Sequence, residues 1–120
     1  YATQADKVVL VGFSQGAMMS YQIGLQHPEM VRGIAPLSGK ILASLNARLK
    51  PDEALTPLKV FIGHGAADNR VPFSGATEAR TVLENLLINP AFHSYAGAGH
   101  TITSAEVADL KRWIEGILKG

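Results

Sequence analysis

The sequence contains no cysteine. A disulfide scaffold, a thiolate metal site and a cysteine nucleophile are excluded together. Nothing demands an oxidising compartment, and a cytoplasmic location is the expectation. Long apolar runs are also missing. The longest are a few residues, such as Val8–Val11, against the ~20 that cross a membrane. Excess charge of either sign is absent too, with 11 Lys and Arg against 10 Asp and Glu and a net charge of +1. That balance offers no electrostatic hold on nucleic acid or an anionic membrane surface. No histidine pair has the H-E-x-x-H spacing, so no metal and no cofactor is expected. The opening YATQADK lacks the apolar stretch of a signal peptide, and Tyr1 in place of Met suggests a processed, truncated or excised chain. What is present is 120 residues, 47% hydrophobic, enough for one compact domain.

Four apolar segments read as strands: 7–13, 31–39, 58–65 and 91–97. The first is continuous and β-branched, the pattern of a strand covered on both faces. Helical spacing is found over 15–27, where Pro28 stops the run, over 74–88, and over 104–119, with a short helix possible at 42–49. Thr103 followed by Glu106 has the form of a capping box opening the last helix. Strand and helix alternate, which predicts parallel βαβ units.

Residues 12–16, Gly-Phe-Ser-Gln-Gly, lie between the first strand and the first helix. A nucleophile elbow needs that context. It holds a serine at the apex of a sharp turn, with small residues on either side where strand and helix pass closely. The plainer reading is a tight turn. A serine needs a general base, and the base needs an orienting acid. Asp68 follows the third strand in GHGAADNRVP, and His100 follows the fourth in AGAGHTI. Alone, Asp68 would be a turn former and His100 a surface histidine. The order Ser, Asp, His, each just after a strand, is that of an α/β-hydrolase. Ligands bind at the carboxyl ends of parallel strands, so the three should meet on one sheet edge. Bland roles fit the rest: His27 at a helix end, His64 in a turn or in packing, His93 facing solvent, Met18 and Met19 in the core.

GFSQGAMMS (12–20), GHGAADNRVPF (63–73) and GAGHTITSAEVADLKRWI (97–114) together resemble the phospholipase/carboxylesterase family of α/β-hydrolases, which includes acyl-protein thioesterases and bacterial carboxylesterases. The likeness runs from Asp6 to Leu118. It implies Ser14 as nucleophile, Asp68 as acid, His100 as base and the Gln15 amide as an oxyanion donor. The implied substrate is a small or lipid-like acyl ester or thioester. Family members are longer, and their elbow follows a strand in mid-sheet. The resemblance therefore implies the C-terminal half of an α/β-hydrolase fold. Residues 1–120 would be a single partial domain of about four parallel strands with flanking helices, without the N-terminal strands and the loop that gives the second oxyanion donor. The bare edge of the first strand would then pair with the N-terminal half or with a second copy of the chain. Two alternatives stand beside this reading. One is a dienelactone-hydrolase-like or polysaccharide-ester esterase, which Gln15 argues against. The other is a non-catalytic piece that assembles with another polypeptide.

Overall fold

The computed structural model describes residues 8–119, with side chains to residue 117. Strands Val9–Phe13 (β1), Gly33–Leu37 (β2), Lys59–Gly65 (β3) and Ala91–Tyr95 (β4) alternate with helices Gln15–Gln26 (α1), Ala43–Asn46 (α2), Ser74–Asn85 (α3) and Ser104–Lys119 (α4). The four strands and α1, α3 and α4 fall inside segments that their apolar patterns predict, and α2 falls inside the short helix possible at 42–49. Lys7, included in those patterns, lies outside the described residues, and Leu118 outside the described side chains. The strands form one parallel sheet in the order β1-β2-β3-β4. After α1 the chain enters a 3-10 turn at Pro28–Met30, since proline cannot extend the helix ladder.

Strand alternation divides the core. Ile34, Val60 and Ile62 face α1 and α3, where they meet Tyr21, Leu25, Ala76, Ala79 and Leu83. Ala35, Leu37 and Phe61 face α4 and its Leu110 and Trp113. Helices thus cover both faces, as a parallel sheet requires. The cover is incomplete over β1. On the α4 face, Leu110 and Trp113 pack against β2 and β3, and Val11 is 49% exposed. The β-branched run predicted a strand covered on both faces, and β1 is instead half-covered. Its position at the end of the sheet is the reason: among the described residues it pairs only with β2.

Met19, expected in the core, and two apolar residues within the predicted helical segments 74–88 and 104–119 face solvent. Met19 is exposed on α1, Val107 on α4, and Leu87 lies beyond the end of α3. Leu87 has φ 66°, a left-handed conformation that breaks the helical spacing the pattern assumed.

The first turn of α4 also departs from expectation. The Glu106 amide donates to Thr103 Oγ1 at 3.1 Å, half of the predicted capping box. The return bond to the Glu106 carboxyl is not formed, and both carboxyl oxygens are buried without a hydrogen-bond partner among the described residues. Burial, helped by the charge of Asp109, pushes this carboxyl up to about 7, while the Thr103 amide pulls the other way. A raised acid stabilises the fold fully below its unfolded value, 4.5. That contribution is lost as the pH climbs through about 7. Glu106→Gln is therefore expected to match the wild-type melting temperature near pH 4 and exceed it near pH 8, by up to about 3 kcal/mol in stability. An equal difference at both pH values would contradict this.

Candidate active site

Ser14 is the single residue between β1 and α1. Its backbone belongs to both. The Ser14 amide donates to the Leu37 carbonyl at 2.9 Å, continuing the β1–β2 ladder, while its own carbonyl accepts from the amides of Ala17 and Met18. The reversal forces φ 59° and ψ −112° on Ser14. For a residue with a Cβ this conformation costs on the order of 1–3 kcal/mol, and it persists only where both flanking elements hold it. It also explains Gly12. A Cβ there would overlap the Gly16 carbonyl and lie 2.7 Å from Ser20 Oγ. Gly16 is different, because a Cβ would meet only open space. The steric requirement expected of both glycines falls on Gly12 alone. Ser14 occupies the N-cap position but makes no capping bond, leaving its hydroxyl for another partner.

That partner comes from the fourth strand. His100 follows β4 on a loop pressed against the loop that follows β3. The Ala67 amide donates to the Ala98 carbonyl at 2.8 Å. A Cβ on Gly65 would overlap the carbonyl oxygens of Ala98 and Gly99. Asp68 is buried at the centre of this contact. Its Oδ1 accepts from the amides of Arg70 and Val71, both at 2.9 Å. Its Oδ2 accepts from His100 Nδ1 at 2.8 Å. Burial works to raise the Asp68 carboxyl, but the hydrogen bonds from His100, Val71 and Arg70 outweigh it and hold the group below the usual aspartate range. A charged carboxylate only accepts, so the imidazole proton sits on Nδ1 and Nε2 is left with its lone pair. Nε2 lies 3.0 Å from Ser14 Oγ, placed to accept the hydroxyl proton. The three residues are thus joined in a hydrogen-bonded line across the sheet's carboxyl edge. The Phe13 ring, 4.9 Å from the His100 ring, forms one wall.

The Gln15 amide opens α1 beside Ser14. Amides of the first helical turn have no intrahelical carbonyl and carry the positive end of the helix dipole. An oxygen that gained negative charge next to Ser14 would find a donor there.

His64, expected in a turn or in packing, is packed and also holds a loop. It is fully buried in β3, and its Nε2–H donates to the Val71 carbonyl at 2.7 Å, with Asp68 Oδ2 at 3.4 Å. It therefore ties the far end of the Asp68 loop back to the strand that launches it. The sequence signal was an imidazole inside a continuous apolar run, where only a paired polar group is stable. His93 is also more covered than expected, stacked 4.8 Å from the Phe61 ring. His27 is exposed beside Glu29, as a helix-end histidine should be. A cavity of about 770 Å³, lined by Leu25, His27, Pro28, Leu49, Asp52 and Leu55 among others, opens away from Ser14, where α1 ends. Among the described residues, no group of three His, Asp or Glu could hold a metal ion.

The sequence profile of the phospholipase/carboxylesterase family matches residues 1–118. Acyl-protein thioesterase 1 from Debaryomyces hansenii is 35% identical over 118 residues, 96% of this chain and 50% of that protein. The crystal structure of esterase PE8 superposes with a TM-score of 0.81 at 35% identity, covering 97% of this chain and 52% of that one. That of Arabidopsis thaliana SOBER1 gives a TM-score of 0.85 at 28% identity, over 98% and 56%. The chain spans about half the length of the curated relatives it matches. Parallel strands, the turn at Ser14 and a match over nearly every residue agree: the chain belongs to the phospholipase/carboxylesterase family of α/β-hydrolases.

Proposed function

We propose that this chain supplies the nucleophile, base and acid of a serine hydrolase that cleaves small or lipid-like carboxylic esters or thioesters. The observation that carries the reading is the line Ser14 Oγ, His100 Nε2, His100 Nδ1, Asp68 Oδ2, with separations of 3.0 and 2.8 Å, anchored on a strained turn. Ser14 Oγ attacks the acyl carbon while His100 Nε2 takes its proton. The carbonyl oxygen becomes an oxyanion held by the Gln15 amide. Collapse breaks the bond to the leaving oxygen or sulfur, which receives the proton from His100, and the acyl group stays on Ser14. Water then repeats the sequence, giving its proton to His100 and releasing the acid. Asp68 keeps Nδ1 protonated and stabilises the transient imidazolium. The thioesterase relative favours thioesters among the substrates, and the esterase structures favour esters. Among the described residues no helix is long and apolar enough to cross a membrane.

Nitrophenyl acyl esters test the reading. A burst of nitrophenol equal to the enzyme concentration, with the acyl group recovered on Ser14 after acid quench, is expected. Hydrolysis without any acyl-serine would contradict it.

The exposed edge of β1 favours a second element of the proposal. Val11 is half-exposed and the strand has one partner among the described residues, so the edge offers unpaired backbone groups beside apolar side chains. In the working protein this edge is paired, by another polypeptide segment of the hydrolase fold or by a second copy of the chain. Sedimentation of the isolated 120 residues at micromolar concentration should show dimers or larger species. A sharp monomer with cooperative unfolding would overturn this.

A further inference from the structure

We propose that Glu106 is a positioning residue for His100: its carboxyl, seated against Gly63, fixes where α4 begins and so where the loop carrying His100 lies against Asp68. This rests on the hydrolase reading above. The observations are steric. β3 has no side chain at Gly63, and a Cβ built there would overlap Glu106 Oε2 and come within 3.0 Å of Leu37 Cδ2. Glu106 is 1% exposed, so the bare backbone of β3 serves as the seat for its carboxyl. Two residues further along the same strand, Gly65 receives the carbonyls of Ala98 and Gly99. The segment from Ala98 to Glu106 is therefore held to β3 at both ends, and His100 lies between the two points. Asp68 leaves the same strand. One rigid element thereby sets the distance between base and acid.

The seat suits a neutral carboxyl. Gly63 and Leu37 face it from β3 and β2 and offer no charge. From β4 come Tyr95, whose hydroxyl donates to Asp109, and His93, whose Nδ1 is 3.6 Å from Asp109. On α4 itself, Asp109 carries like charge and is paired with Arg112. Beside these, among the described residues, stands the Thr103 amide, which makes no full bond to the carboxyl. Among the described residues no cation faces Glu106, and ionisation, which burial delays to about 7, favours its departure from the seat.

The test is the rate at which a fluorophosphonate phosphonylates Ser14, measured across pH on protein shown to be folded by circular dichroism. Glu106→Ala empties the seat and Gly63→Ala fills it, and each is expected to slow labelling roughly ten- to hundredfold at neutral pH through misplacement of His100. In the double variant the two changes should partly cancel. Glu106→Gln keeps the shape without the charge. It should label like wild type near pH 6.5, and above about pH 8 it should hold its rate while the wild-type rate declines. A folded Glu106→Ala protein with the wild-type rate and pH profile overturns the proposal and leaves Ser14 as nucleophile. If Glu106→Ala does not fold, Glu106→Gln decides: a profile identical to wild type overturns it. A wild-type chain that never labels overturns the hydrolase reading and this proposal with it.

Discussion

Ser14→Ala is expected to remove acyl-enzyme formation entirely and to lower ester turnover by roughly 10⁴–10⁶-fold, with folding unchanged. The size follows from what the hydroxyl does. Among the described residues Ser14 Oγ is the hydroxyl hydrogen-bonded to His100 Nε2, so without it the expected residual rate is that of water in an oriented site. Folding should survive because Ser14 makes no capping bond and its backbone is held by Leu37, Ala17 and Met18. Alanine has the same backbone restriction at φ 59°, so strain is neither gained nor relieved. Turnover by the variant above a few per cent of wild type, measured with the same nitrophenyl ester, would remove Ser14 as nucleophile.

Asp68→Asn is expected to cost about 10⁴-fold in turnover with the fold intact, although only one oxygen is replaced. Oδ1 of Asp68 accepts from two backbone amides, and an asparagine would keep its oxygen there to satisfy them. Its NH₂ group must then point at His100 Nδ1. A donor facing Nδ1 forces the imidazole proton onto Nε2, the atom that should accept from Ser14. The loop geometry survives and the tautomer is wrong. The second effect is electrostatic, since the imidazolium formed during attack loses its buried counter-charge. The variant should also lose the acid sensitivity that the Asp68 carboxylate brings to folding. Its folded form binds protons less readily than the unfolded chain, a contribution present at neutral pH and lost as the pH falls through the lowered folded value. Turnover within tenfold of wild type would contradict the assigned role.

The parts legible in the sequence were those that local pattern determines. The apolar segment 7–13 and the helical spacing at 104–119 set a strand and a helix whatever their neighbours, and both formed among the described residues. Ser14, Asp68 and His100 were legible because a parallel sheet brings every strand's carboxyl end to one edge, so that order along the chain implies proximity in space. What was not legible depends on contacts between distant segments. Glu106 has the spacing of a capping residue from Thr103, and only the empty position at Gly63 reveals why its carboxyl turns inward. Val107 has the spacing of a core residue, yet Leu110 and Trp113 set the face that packs, and Val107 lies off it. His64 reads as a turn or packing residue before a glycine; it is packed, but the carbonyl it holds is seven positions away on the far side of a loop. Val11 looked covered because a β-branched run does not reveal which strand lies at the edge of a sheet.

The most direct measurement of the central claim is phosphonylation of the protein by a fluorophosphonate, followed by peptide mapping and repeated as a function of pH. A single adduct on Ser14, formed at a rate that falls on acidification and absent from the His100→Ala and Asp68→Asn proteins on the same timescale, is the result predicted by the line from Ser14 to Asp68. An adduct on a different residue, or a Ser14 adduct whose rate ignores both pH and His100, would contradict it.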